Sequence, residues 1–357
     1  MTSLLIQLRS KLNPNQIFDP VQVNHNLTDK NIKELLDLLL KIKNNYKLYI
    51  NGNEFTNDIK YMINQLDLTT EEILIIDYII IEEEKKIEVE YQISALKKHR
   101  VGNYWVLFLS GFDGTIEIYQ IDSNWNQLKI NTFQIDSNIK DLHPIGNMLY
   151  TLGLENDIWE IKCDKIDKPY ACVKKLISEK IDIEEFRPIE NYIIYGSSDG
   201  KVIKYDRDST QRLHKSGINI TSICHFFDNI CVGSLNSDLY FIKNEIKTLK
   251  IGYPVTAIGI FNDTLIIGGS NSVVSIVNKN YEIIKTFQIG IRYVEYIETD
   301  GEHIAFAGQN KVEIWNKEKL VKKIEAEDYV RGIVIIENYI FMATNNLLKT
   351  FIINDFI

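Results

Sequence analysis

The sequence predicts a mainly β protein in two parts, a small α+β domain followed by a seven-bladed β-propeller. Three observations predict it. One theme of strand, tight turn and strand recurs seven times after residue 87, and amphipathic helical spacing is confined to the first 80 residues. The chain, 357 residues and 45% hydrophobic, is long enough for about two cores.

In the first part, residues 3–12 (SLLIQLRSKL) and 18–24 (FDPVQVN) read as a hairpin around the polar NPNQ. A helix follows. Asn26 or Thr28 is placed to cap it, and Ile32, Leu35, Leu36 and Leu39 keep the i, i+3, i+4, i+7 spacing of one buried face. YKLYING returns to strand and ends on the turn pair Asn51-Gly52. The short apolar segment DIKYMINQL then leads to LDLTTEEILIIDY, from which ILIIDYII continues as a last strand apolar enough to need a central place in the sheet. Strand, strand, helix, strand, strand in about 80 residues is the plan of a ubiquitin-like roll, assigned to residues 1–80 with a short linker at 81–86.

The second part, 87–357, repeats itself. Its alignable segments run from YWVLFLSGFDGTIEIY through NYIIYGSSDGKVIKY to NYIFMATNNLLKTFI, and their turn residues Asp113, Glu155, Asp199, Asn236, Asn271, Asn310 and Asn345 lie 35 to 44 residues apart. That period, with a small residue ending the middle strand and Asp, Asn or Gly in the turn, is the mark of four-stranded propeller blades. The small residues let strands converge near the centre, and the turn residues suit a tight reversal. A ring must also close. IEVEYQ, 87–92, alternates apolar and polar residues and is placed to complete the last blade as a clasp.

Composition narrows the function. The net charge is -9 and no Lys cluster grows into a long basic tract, so nucleic acid is a poor principal ligand, although direct nucleic-acid contact stays open. No stretch reaches about 18 uncharged apolar residues, and the amino terminus is charged too early for a signal peptide, so an intracellular protein with no membrane span is expected. The four cysteines and six histidines show no metal-type spacing, which leaves the thiols as free core groups. No nucleophile elbow, phosphate loop, zinc-protease helix or dinucleotide fingerprint is found, and Cys224 beside His225 reads as strand. Nothing in the sequence brings chemistry together from several blades. Tyr104, Trp125 and Tyr170 are candidate partner anchors, but aromatic residues in a propeller usually pack blades, and the propeller interface is not located. The expectation is an interaction scaffold, not an enzyme, with no cofactor of its own.

The two parts together resemble a known family. VQV, the Leu-rich helix, YING and the closing LTTEEILIIDY follow in the order of the NLE-type ubiquitin-like domain. ISALKKHRVGNYWVLFLSGFDGTIEIY is similar to the first blade of the WD-repeat ribosome-biogenesis proteins of the PeBoW complex. Tyr205-Asp206 and Trp315-Asn316 stand in the place of the family's Trp-Asp pairs, which are eroded here, and the loops are trimmed. The resemblance implies a seven-bladed WD-type propeller that docks on a block-of-proliferation homologue and, through it, reaches a pescadillo homologue on the large-subunit pre-ribosome, in the nucleolus and nucleoplasm. It further implies that the ubiquitin-like domain offers the Glu71 carboxylate to a Mg²⁺ held by the adhesion site of the ATPase midasin. Thr69 and Thr70 would shape the turn, and Glu72 keeps the role of a solvated neighbour. The alternatives are a notchless-type midasin substrate and a ubiquitin-pathway propeller adaptor.

Overall fold

The computed structural model describes residues 3–11, 17–24, 26–40, 45–55, 58–66, 68, 73–81, 85–123, 125–162, 172–189, 191–207, 209–316 and 319–353. A compact unit spans Lys85–Ile353, and the described residues ahead of it form another. Among them no helix is long and apolar enough to cross a membrane.

The first unit contains β1 (Ser3–Ser10), β2 (Val21–Asn24), α1 (Asp29–Leu40), β3 (Asn45–Ile50), β4 (Asn53–Glu54), α2 (Ile59–Leu66) and β5 (Leu74–Ile81). Its sheet has the order β2-β1-β5-β3-β4, with β1 and β5 parallel. Thr28 caps α1 in a reciprocal box: its hydroxyl accepts from Asn31 N–H at 3.4 Å while Asn31 Oδ1 accepts from Thr28 N–H at 3.2 Å. The buried stripe of α1 is Ile32, Leu36 and Leu40, and Leu39 is 38% exposed, a correction to the expected face. The i, i+4, i+8 row lies against Leu4, Ile6 and Leu8 of β1 and Ile76 of β5 in one core, each side chain contributing about 2–3 kcal/mol by burial. DIKYMINQL is also more than an apolar segment. It holds the helix α2, because Asp58 Oδ1 accepts from Tyr61 N–H at 2.7 Å and Ile59, Met62 and Ile63 share a buried face.

The second unit consists, among the described residues, of seven four-stranded antiparallel sheets. The first strands of the sheets, Ile93–Val101, Ile139–Ile145, Ile183–Ile189, Ile220–Phe226, Val255–Phe261, Tyr296–Thr299 and Gly332–Ile336, meet one another in cyclic order around a centre. They are the inner strands of blades 1 to 7. The last sheet is completed from upstream by β6 (Lys85–Glu88), antiparallel to Leu347–Ile352, with Ile87 opposite Leu348. The clasp therefore begins two residues before the 87–92 window and takes Lys85 and Lys86 out of the expected linker. It stops at Glu88 because the chain bends at Glu90 and Tyr91 to enter blade 1.

The polar residues of the blade turns bond the backbone that reverses there. Asp113, Asn236 and Asn271 each accept, through Oδ1, the N–H two residues on, at 3.0, 3.1 and 3.3 Å. The left-handed backbone falls on the next residue instead: Gly114, Asn156, Gly200, Ser237 and Ser272 have φ of 90°, 63°, 80°, 71° and 65°. On the third strand of four blades a buried acid precedes an aromatic residue by two: Glu117 and Tyr119, Asp157 and Trp159, Asp238 and Tyr240, Glu313 and Trp315. A lysine from the fourth strand, Lys129, Lys175, Lys250 or Lys323, reaches each acid at 2.6–3.1 Å.

Candidate functional site

The inner strands of blades 1 to 5 share one irregularity. The ladder to the second strand skips a residue at Ser94, Lys140, Glu184, Thr221 and Thr256. A bulge of this kind re-aims side chains, and here Lys140, Glu184, Thr221 and Thr256 reach the neighbouring blade, whereas Ser94 bonds Ser110 within its own. Lys140 Nζ donates to Ile183 O at 3.0 Å and pairs with Glu184 at 3.2 Å. Thr221 and Thr256 donate to Val255 O at 2.7 Å and Val294 O at 2.5 Å.

Further along the strands the belt closes. Lys97 of blade 1 pairs with Asp141 of blade 2 at 3.1 Å. Arg187 of blade 3 contacts His143 Nδ1 at 3.3 Å through Nη1 and donates to Ile223 O of blade 4 at 3.2 Å through Nε. Lys98 of blade 1 pairs with Glu298 of blade 6 at 3.0 Å and donates to Ile335 O of blade 7 at 2.7 Å. Tyr329 donates to Glu295, and the Arg331 guanidinium lies 4.9 Å from the Tyr329 ring and 5.4 Å from that of Phe112. These groups surround a cavity of about 810 Å³ at the centre of the ring.

Electrostatics divides the cavity. Burial lowers His143 to about 3, and the charges of Lys97 and Arg187 act in the same direction, so its imidazole is neutral. Burial and the charge of Asp141 push Glu185 up to about 7. Burial would raise Asp141 too, but the charge of Lys97 holds it well below the usual carboxylate range. A carboxylate, a neutral imidazole and a carboxyl group that titrates near neutrality thus share one wall, where they can exchange protons or bind a cation.

Sequence reasoning found no such convergence, and the structure corrects it. The signal was present in IKDLHPI and IEEFRPI, which align position by position as inner strands. Asp141 and Glu185 are equivalent residues of successive blades, as are His143 and Arg187. The residues singled out from sequence lie elsewhere. Glu71, Thr69, Thr70 and Glu72 fall outside the described residues, as does Tyr170; the adjoining Ile73, ahead of β5, is 44% exposed. Trp125 stacks on Tyr339 with ring centroids 4.2 Å apart, and Tyr104 packs on the core between blades 1 and 2. Cys224 is a buried free thiol paired in register with Cys231, and His225 points away to solvent. Burial and the neighbouring thiol push Cys231 far up, away from the reactive thiolate form.

No protein-family model matches the chain, and no curated protein matches it significantly. Among solved structures it is similar to the WD40 β-propeller domain of Doa1, with a TM-score of 0.62 and 14% identity over 75% of this chain and 95% of that one. The second unit has the WD40 β-propeller fold. At that identity the likeness is one of backbone. Four of its third strands carry the acid and aromatic pairs described above.

Proposed function

We propose that this chain is a non-enzymatic assembly factor of the large ribosomal subunit, of the WD-repeat type found in the PeBoW complex. The observation that carries the reading is the pairing of two units. A small α/β unit with sheet order β2-β1-β5-β3-β4 and parallel β1 and β5 precedes a seven-bladed ring. We take that first unit to be ubiquitin-like, since this strand order with a helix packed across one face is the plan of the ubiquitin roll. Its final strand is introduced by LTTEE, the segment that carries the family's acidic turn.

On this reading the propeller docks on a block-of-proliferation homologue, and through it on a pescadillo homologue, in the nucleolus and nucleoplasm. Glu71 supplies one oxygen to a Mg²⁺ held by the adhesion domain of midasin, with Thr69 and Thr70 shaping the turn. A Mg²⁺ in an octahedral oxygen shell with one open position accepts a single carboxylate oxygen, so one exposed Glu suffices. ATP-driven pulling on this handle then removes the factor from the pre-ribosome.

The test is binding of the full chain to the midasin adhesion domain with and without Mg²⁺. Glu71→Ala abolishes the Mg²⁺-dependent binding and leaves co-purification of the block-of-proliferation homologue intact; Glu71→Asp, one methylene shorter, also fails at the metal. Undiminished binding by Glu71→Ala refutes the handle. Capture of proteasome or ligase subunits in place of ribosome-assembly factors refutes the assembly role and favours a ubiquitin-pathway adaptor.

A further inference from the structure

Blades 2 and 3 each place an acid just after the inner-strand bulge, Asp141 and Glu185, and His143 follows Asp141 by two residues on the same strand face. One donor atom from each of the three lies within 4.8 Å of the other two. Ligands on bonds of about 2.0–2.2 Å to one ion stand roughly 3–4 Å apart, so modest side-chain rotation brings all three onto a common centre.

The imidazole gives a second, independent observation. His143 is 6% exposed and its Nε2 is buried without a hydrogen-bond partner, although Asp141 Oδ2 is only 3.1 Å away. The contact is close but out of line for a hydrogen bond.

We propose that Asp141, His143 and Glu185 bind a divalent cation of the zinc class, with the remaining position open to the channel. One imidazole and two carboxylates suit Zn²⁺, Co²⁺ or Ni²⁺, whereas Mg²⁺ and Ca²⁺ prefer oxygen alone. Two cationic side chains border the site and set its character. Lys97 holds Asp141 through Oδ1, leaving Oδ2 for the ion. Arg187 sits 3.3 Å from His143 Nδ1. An ion on Nε2 moves the ring proton to Nδ1, so Arg187 gives up that contact while its Nε keeps Ile223 O. Arg187 is therefore a competitor of the ion, and removing it tightens binding.

The full chain, stripped by chelator and exchanged into chelator-free buffer, is titrated with Co²⁺ followed by visible absorption and with Zn²⁺ followed by calorimetry. One equivalent binds, with the d–d bands of a four- or five-coordinate site. Glu185→Gln and Asp141→Asn weaken binding roughly tenfold or more, and Arg187→Met strengthens it by a similar factor. Circular dichroism reports whether each variant folds, and Glu185→Gln carries the test if Asp141→Asn does not. Absence of a stoichiometric site overturns the proposal, as does binding indifferent to Glu185→Gln and Arg187→Met, which would mean that the ion is held elsewhere.

Discussion

The indole N–H of Trp159 donates to Asp157 Oδ2 at 2.7 Å, two residues back along one strand, and Lys175 meets the same carboxylate from the next strand at 3.0 Å. Asp157 is 2% exposed and also accepts from Ser137 at 3.1 Å, so its charge is compensated inside the blade. The same acid, aromatic and lysine arrangement recurs in blades 1, 4 and 6.

Asp157→Asn keeps the shape and removes the charge that three donors share. It lowers stability by about 1.5–3 kcal/mol, read as a shift in the urea midpoint of the propeller. Trp159→Phe removes one N–H and part of the ring, and costs about 1–2 kcal/mol. Lys175→Met has a smaller effect, below about 1 kcal/mol, because the lysine is 42% exposed.

Ser272 holds φ of 65°, with the ladder on either side fixing it. Ser272→Gly relieves the left-handed strain and raises the thermal midpoint slightly, by the equivalent of about 0.5–1 kcal/mol. Gly200→Ala at the equivalent turn of blade 3 does the opposite. Its Cβ would lie 2.6 Å from the backbone nitrogens of Gly217 and Ile218, so backbone has to shift, and scanning calorimetry should show a loss of more than about 1 kcal/mol.

The Thr256 hydroxyl joins blades 5 and 6 from a bulge that is 7% exposed. Thr256→Val is nearly isosteric but leaves Val294 O without this donor. Stability falls by about 1–3 kcal/mol, and hydrogen exchange quickens along the inner strands of those two blades before the rest of the ring.

Glu185 gives the propeller a pH dependence. Its folded value of about 7 stands above the ordinary 4.5, so below about pH 4.5 both states hold the proton and nothing is lost. Between about 4.5 and 7 the unfolded chain releases a proton that the folded one keeps, and stability falls as pH rises; above 7 the loss is complete. Glu185→Gln, measured with chelator present, is therefore more stable than the parent at pH 8 by up to about 3 kcal/mol and nearly equal to it at pH 4. Equal differences at the two pH values would contradict the assignment.

Much of the architecture was legible because it follows from local rules. The 35–44 residue period of Asp113, Asp199 and their counterparts marked the blades, since each turn must reverse the chain with the same few residue types. Finer points were not. Leu39 and Leu40 are indistinguishable by type, and only the packing of α1 on β1 selects Leu40. Helix α2 was hidden by its length, too short for a periodic pattern to stand out from a strand, and the acid and aromatic pairs EIY, DIW, DLY and EIW passed as ordinary alternation.

The sequence determined that strands would come in groups of four, which residues would turn them, and that a separate helix-bearing unit would precede them, all consequences of spacing along one chain. The tertiary structure decided what meets at the centre. Lys97, Asp141, His143, Glu185 and Arg187 are spread over 91 residues and come from three blades, and no local periodicity links them. They converge because the ring closes and because a bulge near the start of each of these three inner strands turns the following side chains into the channel, where burial, not sequence distance, sets their charge.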